Sequence, residues 1–264
     1  MSDILLNDGR SMPALGMGTY QIPDGQAPSV VRAGLDAGFR LVDTAAFYHN
    51  ERGVGEGVRG SEAFLTTKLW NDRHGDPEAA LNESLALLGV DAVDLYLIHW
   101  PCPAQAQYVD AWKGLVALRE TGLAGSIGVS NFMPRHMERI IDATGVVPAV
   151  NQIELHPRFQ QVELRSWMDE NRIVTQSWSP LGQGDVLGDP AIVRIAGKHG
   201  RSPAQVVIAW HLALGLSVIP KAGSAEHLAD NFAAADLTLD DEDMAAIAEL
   251  DSESGRIGPD PMSV

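Results

Sequence analysis

Eight short apolar runs recur along the chain, each reading as a strand buried on both faces. They are 14–20 (ALGMGTY), 39–45 (FRLVDTA), 64–70 (FLTTKLW), 94–100 (DLYLIHW), 125–131 (GSIGVSN), 149–155 (AVNQIEL), 173–180 (IVTQSWSP) and 216–221 (LSVIPK). Between most of them lie stretches with helical spacing: PSVVRAGLDAG, DPEAALNESLALLG, QYVDAWKGLVALRETG, PRHMERIIDATG, QVELRSWMDENR, SPAQVVIAWHLALG and AEHLADNFAAA. Alternating strands and helices predict right-handed βαβ units and one parallel sheet, and eight such strands in about 250 residues is the size of a (β/α)8 TIM barrel. The leading ILLNDGRSMPA, with Asn7-Asp8-Gly9 between apolar runs, predicts an amino-terminal β-hairpin that closes the bottom of the barrel. No Pro/Gly/Ser-rich linker, low-complexity tract or charge block divides residues 1–264, so the chain reads as a single domain.

Charge narrows the partners. The 264 residues carry 19 Lys plus Arg against 35 Asp plus Glu, a formal charge of −16, which repels nucleic acid and anionic membrane surfaces and favours solubility. Neither is expected as a partner. The start, MSDILLNDGRS, lacks a basic region followed by an apolar core, and no apolar run approaches the roughly 18 residues a membrane span needs. A single cysteine, Cys102, flanked by Pro101 and Pro103, reads as an inert thiol and fits a reducing compartment, so a cytoplasmic location is expected. The acidic stretch DLTLDDEDMAAIAELDSE (236–253) reads as an amphipathic helix with acidic groups in its first turn. An anionic ligand must therefore be held by local donors, of which Lys221, leaving the last strand, is the first candidate.

Asp43, Tyr48, Lys68 and His99 stand at or just past the carboxyl ends of three successive apolar runs, where a parallel sheet opens to ligand. Each alone has a plain structural reading: Asp43 as a helix cap, Tyr48 as a rim residue, Lys68 in a surface ion pair, His99 as a satisfied core imidazole. Together they suggest general-acid chemistry on a carbonyl. A buried lysine is expected to pull down the pKa of the adjacent tyrosine, Asp43 to keep the lysine charged, and His99 to orient the substrate oxygen. No side chain offers a convincing nucleophile: there is no G-x-S-x-G elbow, and neither Cys102 nor Lys68 has a matching base. A hydride from a cofactor is expected instead. Ser130, Asn131 and Gln152 offer groups suited to a nicotinamide carboxamide, Trp178 a flat face for its ring, and Gly182-Gln183-Gly184 a close backbone approach to a pyrophosphate. Turn formation by Ser-Asn and core packing by the tryptophan are the competing readings.

These segments resemble the aldo-keto reductase superfamily over nearly the whole chain. GFRLVDTAAFYHNE followed by VGEG is similar to the first family signature, GSIGVSNF to the second, and VIPK to the start of the third. HWPCP, NQIELHP and QSWSPLGQG look most like the bacterial 2,5-diketo-D-gluconate reductase branch. The resemblance implies Tyr48 as proton donor, Asp43 and Lys68 as its tuning pair, and His99 as the group orienting the carbonyl. It implies an extended NADP(H) bound by Ser130, Asn131, Gln152, Trp178, Ser179, Leu181, Gln183, Lys221, Ser224, His227 and Asn231. A substrate rim of Tyr20, Phe47, Trp70, His99 and Trp100 would receive a small aldehyde, ketone or α-dicarbonyl. No metal is implied, and the branch implies a monomer. The terminal GRIGPDPMSV suggests an open pocket.

Two departures stand out. The stretch between Tyr48 and Lys68 is shorter than usual for the branch, trimming the helix there. Ala222 and His227 replace the usual hydroxyl residue and arginine at the cofactor phosphate, so NAD(H) is expected to be accepted beside NADP(H). A metal-dependent barrel hydrolase and a non-catalytic redox-sensing subunit stay as alternatives at this stage. The first lacks closely spaced ligands, and the intact tetrad argues against the second.

Overall fold

The computed structural model describes residues 3–264. The leading segment forms an antiparallel hairpin, β1 (Asp3–Leu5) with β2 (Ser11–Pro13), pairing Ile4 with Met12. Its turn needs Gly9, whose φ of 87° favours a residue without Cβ. Eight parallel strands follow: β3 (Met17–Gly18), β4 (Leu41–Asp43), β5 (Phe64–Leu69), β6 (Val93–Ile98), β7 (Ala124–Ser130), β8 (Val150–Glu154), β9 (Val174–Trp178) and β10 (Ser217–Val218). Neighbours in sequence are neighbours in the sheet from β3 to β10. Parallel bridges Leu15–Val218 and Gly18–Lys221, with Gly16 N donating to Val218 O at 2.9 Å, join last strand to first. The eight expected strands thus close into the expected TIM barrel, though the first and last hold ladder geometry for only two residues each.

Helices wrap this sheet: α1 (Ala27–Ala37), α2 (Glu51–Val58), α3 (Pro77–Leu88), α4 (Tyr108–Glu120), α5 (Pro134–Thr144), α6 (Val162–Glu170), α7 (Pro190–His199), α8 (Pro203–Ala213), α9 (Ala225–Phe232) and α10 (Asp241–Ala248). Several start on proline at the first helical turn, where the missing N–H costs nothing, and α8 and α10 begin with reciprocal caps, Ser202 with Gln205 and Asp240 with Asp243. The acidic stretch is indeed a helix with Asp241, Glu242 and Asp243 in its first turn. Helix α7 has no counterpart in the periodic patterns above. Its buried residues are only Ile192, Ile195 and Ala196, one short stripe that does not repeat.

Two cores result. The larger lies between sheet and helices, while the smaller fills the barrel axis with Leu6, Met12, Leu41, Leu95, Leu97, Ala149, Val150 and Ile219. Leu6 and Met12 come from the hairpin, which therefore plugs the bottom as expected. Among the described residues no helix is long and apolar enough to cross a membrane.

Candidate active site

Side chains alternate across a strand, so each strand sends every second residue toward the barrel axis. Leu41, Leu95, Leu97 and Val150 fill the lower layers. Toward the carboxyl ends of the strands the inward residues turn polar: Asp43, Lys68, His99, Ser130, Gln152 and Gln176, all at most 8% exposed. The site is the polar top layer of an apolar plug.

Lys68 Nζ lies 2.6 Å from Asp43 Oδ1, 2.8 Å from the Thr44 carbonyl and 3.3 Å from Tyr48 Oη. Three acceptors match the three hydrogens of an ammonium. Burial pushes Asp43 up and Lys68 down, and each holds the other back toward its charged form. Because the lysine donates into the phenol oxygen, the Tyr48 hydrogen is directed away from it. The expected depression of the Tyr48 pKa is not found. Burial first, then the nearby Asp43 charge and Tyr20, hold it well above its ordinary value. His99 is held well below its ordinary value, by burial first and then by Lys68, and stays neutral; its Nδ1 has no partner among the described residues.

The loop carrying Tyr48 is held from below. Thr44 Oγ1 donates to Asn50 Oδ1 at 2.7 Å, and Asn50 Nδ2 donates to the carbonyls of Thr19 and Ile22, both at 2.9 Å. Thr67 Oγ1 donates at 2.6 Å to Glu51, whose carboxyl is raised by burial. Asn50 and Glu51 were missed in the sequence reading, although both belong to the quoted AFYHNE run.

The expected cofactor residues are knit to the tetrad. Gln152 Nε2 donates to Asp43 Oδ2 at 2.8 Å and to Gln176 Oε1 at 2.7 Å, and Gln176 continues to Ser217 at 3.0 Å. Ser130 Oγ donates to the Gln152 carbonyl at 2.8 Å. Asn131 Nδ2 donates to the His99 carbonyl and to Ser130 Oγ, both at 3.0 Å, and its Oδ1 accepts the Trp178 indole N–H at 2.8 Å. Asn131 and Ser179, just past β7 and β9, hold φ of 63° and 48°, a sparsely used left-handed conformation that non-glycine residues keep where surroundings demand it. Further on, Gly182, Gln183 and Gly184 are all left-handed, with Leu181 before them and Gln183 exposed. Lys221 bridges to Gly18, and Ser224 caps α9 by accepting from His227 N at 3.3 Å. Lys221, Ser224 and His227 are exposed, while Ala222 and Asn231 are buried.

Aromatic rings frame the mouth. Phe47 stacks on Trp70 with centroids 3.8 Å apart, Trp70 meets His99 edge-on at 5.0 Å, and Tyr20 leans on Tyr48 at 5.1 Å. Tyr20 and Phe47 are exposed, at 48% and 39%. Trp100 is buried and stands outside this ring network.

The terminal segment is docked. Glu154, at the end of β8, accepts Ile257 N at 2.6 Å and Gly258 N at 2.8 Å, and His156 Nε2 lies 3.1 Å from it. Burial raises its carboxyl, but these three donors outweigh burial and leave it lowered. Only a contact map in three dimensions joins residues this far apart in sequence. Cys102 is buried and raised to about 11, an inert thiol. Among the described residues no three His, Cys, Asp or Glu side chains are grouped to hold a metal ion.

Comparison with known proteins agrees with this geometry. The family model described as Aldo/keto reductase family matches residues 14–252. Methylglyoxal reductase DkgA of Salmonella typhimurium is 48% identical over 265 residues, covering 98% of this chain and 96% of its own, and its Escherichia coli (strain K12) counterpart matches to the same extent. A crystal structure of a Gox0644 mutant in complex with NADPH superposes with a TM-score of 0.98 at 51% identity, covering 100% of this chain and 98% of its own. The apo form of Gox0644 gives 0.96 at 52% identity, covering 98% and 97%.

Proposed function

The chain belongs to the aldo/keto reductase family, and we propose that it reduces small α-dicarbonyl compounds, methylglyoxal among them, with NADPH, using Tyr48 as the proton donor. The observation that carries this reading is Lys68 Nζ, held by Asp43 at 2.6 Å and donating to Tyr48 Oη at 3.3 Å, which leaves the phenol hydrogen free for a carbonyl oxygen. NADPH, when bound, supplies the hydride that forms the new C–H bond. Tyr48 gives its proton to the carbonyl oxygen as that oxygen gains charge, and solvent later restores it. Lys68 stabilises the phenolate left behind, and Asp43 keeps Lys68 charged in a dry site. His99, neutral and beside Tyr48 and Trp70, donates to or orients the same oxygen.

Residues for the cofactor fit a dinucleotide. Trp178 offers a ring fixed by its N–H to Asn131, for the nicotinamide. Ser130, Asn131 and Gln152 spend their amide and hydroxyl hydrogens within the protein, so acceptor capacity is what they offer a carboxamide. Ser179, Leu181, Gln183 and the left-handed Gly182–Gly184 turn are assigned to the pyrophosphate, which the turn's open backbone suits. Lys221, Ser224 and the start of α9, with His227 and Asn231, suit a terminal phosphate, because exposed amides and a helix N-terminus favour anions. Tyr20, Phe47, Trp70, His99 and Trp100 are assigned to the substrate rim, and ring walls with few polar groups suit a small oxygenated ligand. One barrel domain over 1–264 is supported by cores that join hairpin, strands and helices. A monomer is supported by the −16 charge, which keeps copies apart, and a cytoplasmic site by the single cysteine. Turnover of a carbonyl panel with NADPH and NADH tests the reading. Absence of dicarbonyl reduction with either cofactor refutes it.

A further inference from the structure

Two observations meet at the edge of Trp178. Glu154 is the direct neighbour of Trp178 across the β8–β9 ladder, and its buried carboxylate receives the amides of both Ile257 and Gly258. Gly258 in turn lies so close to the ring that an added Cβ would stand 2.6 Å from Trp178 Cη2 and 2.9 Å from Glu154 Oε2. The indole is therefore held at its N–H by Asn131 and at its far rim by the Ile257–Gly258 backbone, whose amides Glu154 receives. Residues leading into this segment are pinned as well: Ser252 N donates to the Arg158 carbonyl at 3.2 Å, and the Arg256 guanidinium lies 4.6 Å over the Phe159 ring. The remaining partner of the carboxylate is His156 Nε2 at 3.1 Å.

We propose that Glu154 is a positioning residue: its carboxylate latches Ile257–Gly258 against the rim of Trp178 and so sets the plane on which the nicotinamide stacks. This rests on the reading of Trp178 as the nicotinamide platform. A carboxylate is suited to the task because each oxygen accepts a separate amide, whereas an amide side chain of the same shape offers one acceptor and turns a donor toward the other N–H. The segment expected to leave the pocket open is, through this contact, one of its walls.

Glu154→Gln and Gly258→Ala, made singly and together in the full chain, test the proposal. Hydrogen exchange at the 257 and 258 amides reads the latch, and quenching of tryptophan fluorescence by NADPH reads the platform. Glu154→Gln is expected to speed exchange at both amides by roughly tenfold or more, the loss of a charge-assisted hydrogen bond. NADPH affinity is expected to fall several-fold, and Gly258→Ala to reproduce that fall. The double variant should be no weaker than the worse single, because both act through one contact. Additive losses, or amides that stay as slow as in the unmodified protein, overturn the latch. Released amides with unchanged NADPH affinity overturn its effect on the cofactor. If Trp178→Phe keeps the full quench, the platform reading itself fails, a result separable from the exchange data. Should Glu154→Gln not fold, Gly258→Ala carries the same measurements, since its φ is ordinary and only space opposes the methyl group.

Discussion

Replacing Tyr48 with Phe removes one oxygen and separates chemistry from structure. Lys68 loses its longest contact, 3.3 Å, and keeps Asp43 at 2.6 Å and the Thr44 carbonyl at 2.8 Å, so the buried charge stays paired. Ring contacts with Tyr20 at 5.1 Å and His99 at 5.8 Å do not involve the hydroxyl. Stability should therefore change by no more than about 1 kcal/mol, the usual net worth of one hydrogen bond. The rate should drop by ~10² to 10⁴, the effect of losing a general acid, which at about 1.4 kcal/mol per decade is roughly 3 to 5 kcal/mol of transition-state stabilisation. Activation loss thus exceeds stability loss several times over. Single-turnover reduction of methylglyoxal with NADPH deuterated at the transferred position keeps the chemical step in view, and urea unfolding supplies the stability. Unmodified rates with a full isotope effect would remove Tyr48 as the proton donor and pass the role to His99. Equal losses in both measurements would show that the ring matters as packing.

Lys68→Met strands the Asp43 carboxylate with Gln152 as its remaining side-chain partner, so unfolding at neutral pH should become easier by about 3 to 5 kcal/mol, as for other broken buried pairs. Burial already raises Asp43, so this deficit should shrink as pH falls through its raised folded-state pKa, and urea melts at two pH values check it. Asp243 is opposed by burial but lowered to about 2 overall by Lys198, His199 and the Asp240 amide. Its stabilisation is full above the ordinary 3.8 and lost as pH falls toward about 2, so the stability gap to Asp243→Asn should close over that window in acid titrations of Tm. Ala222→Ser with His227→Arg adds a hydroxyl and a bidentate cation at the site proposed for a 2′-phosphate. The ratio of kcat/KM for NADPH over NADH should rise about tenfold or more, and an unchanged ratio would place discrimination elsewhere.

The barrel was legible because its information is local. Doubly buried strands are continuous apolar runs, and each of the eight became a strand of the closed sheet. The tetrad was legible for the same reason: a lysine, aspartate and histidine that end such runs have one place to go, the mouth of the barrel. The pattern is weakest at its edges, where β3 and β10 keep two residues each and α7 shows one unrepeated stripe.

What escaped the sequence depends on burial or on long reach. Proximity of Lys68 to Tyr48 was read correctly, yet the sign of the tyrosine shift was not, because neighbouring charges in a sequence do not reveal how dry the phenol is or that the Asp43 charge also acts on it. Polar residues inside strands were read as ligands for a cofactor, whereas Gln152 first serves Asp43, and Gln176, two positions before Trp178, was overlooked although its parity aims it at the same axis. Glu154 is the extreme case. It ends a strand as a lone acid beside a histidine, with nothing nearby to indicate a partner more than a hundred residues away. Local rules thus find the side chains that gather at the mouth of the barrel, since a polar group at the end of an apolar strand has one place to go. The groups that hold them in place are chosen by whichever backbone happens to arrive, and only the assembled chain brings that backbone to them.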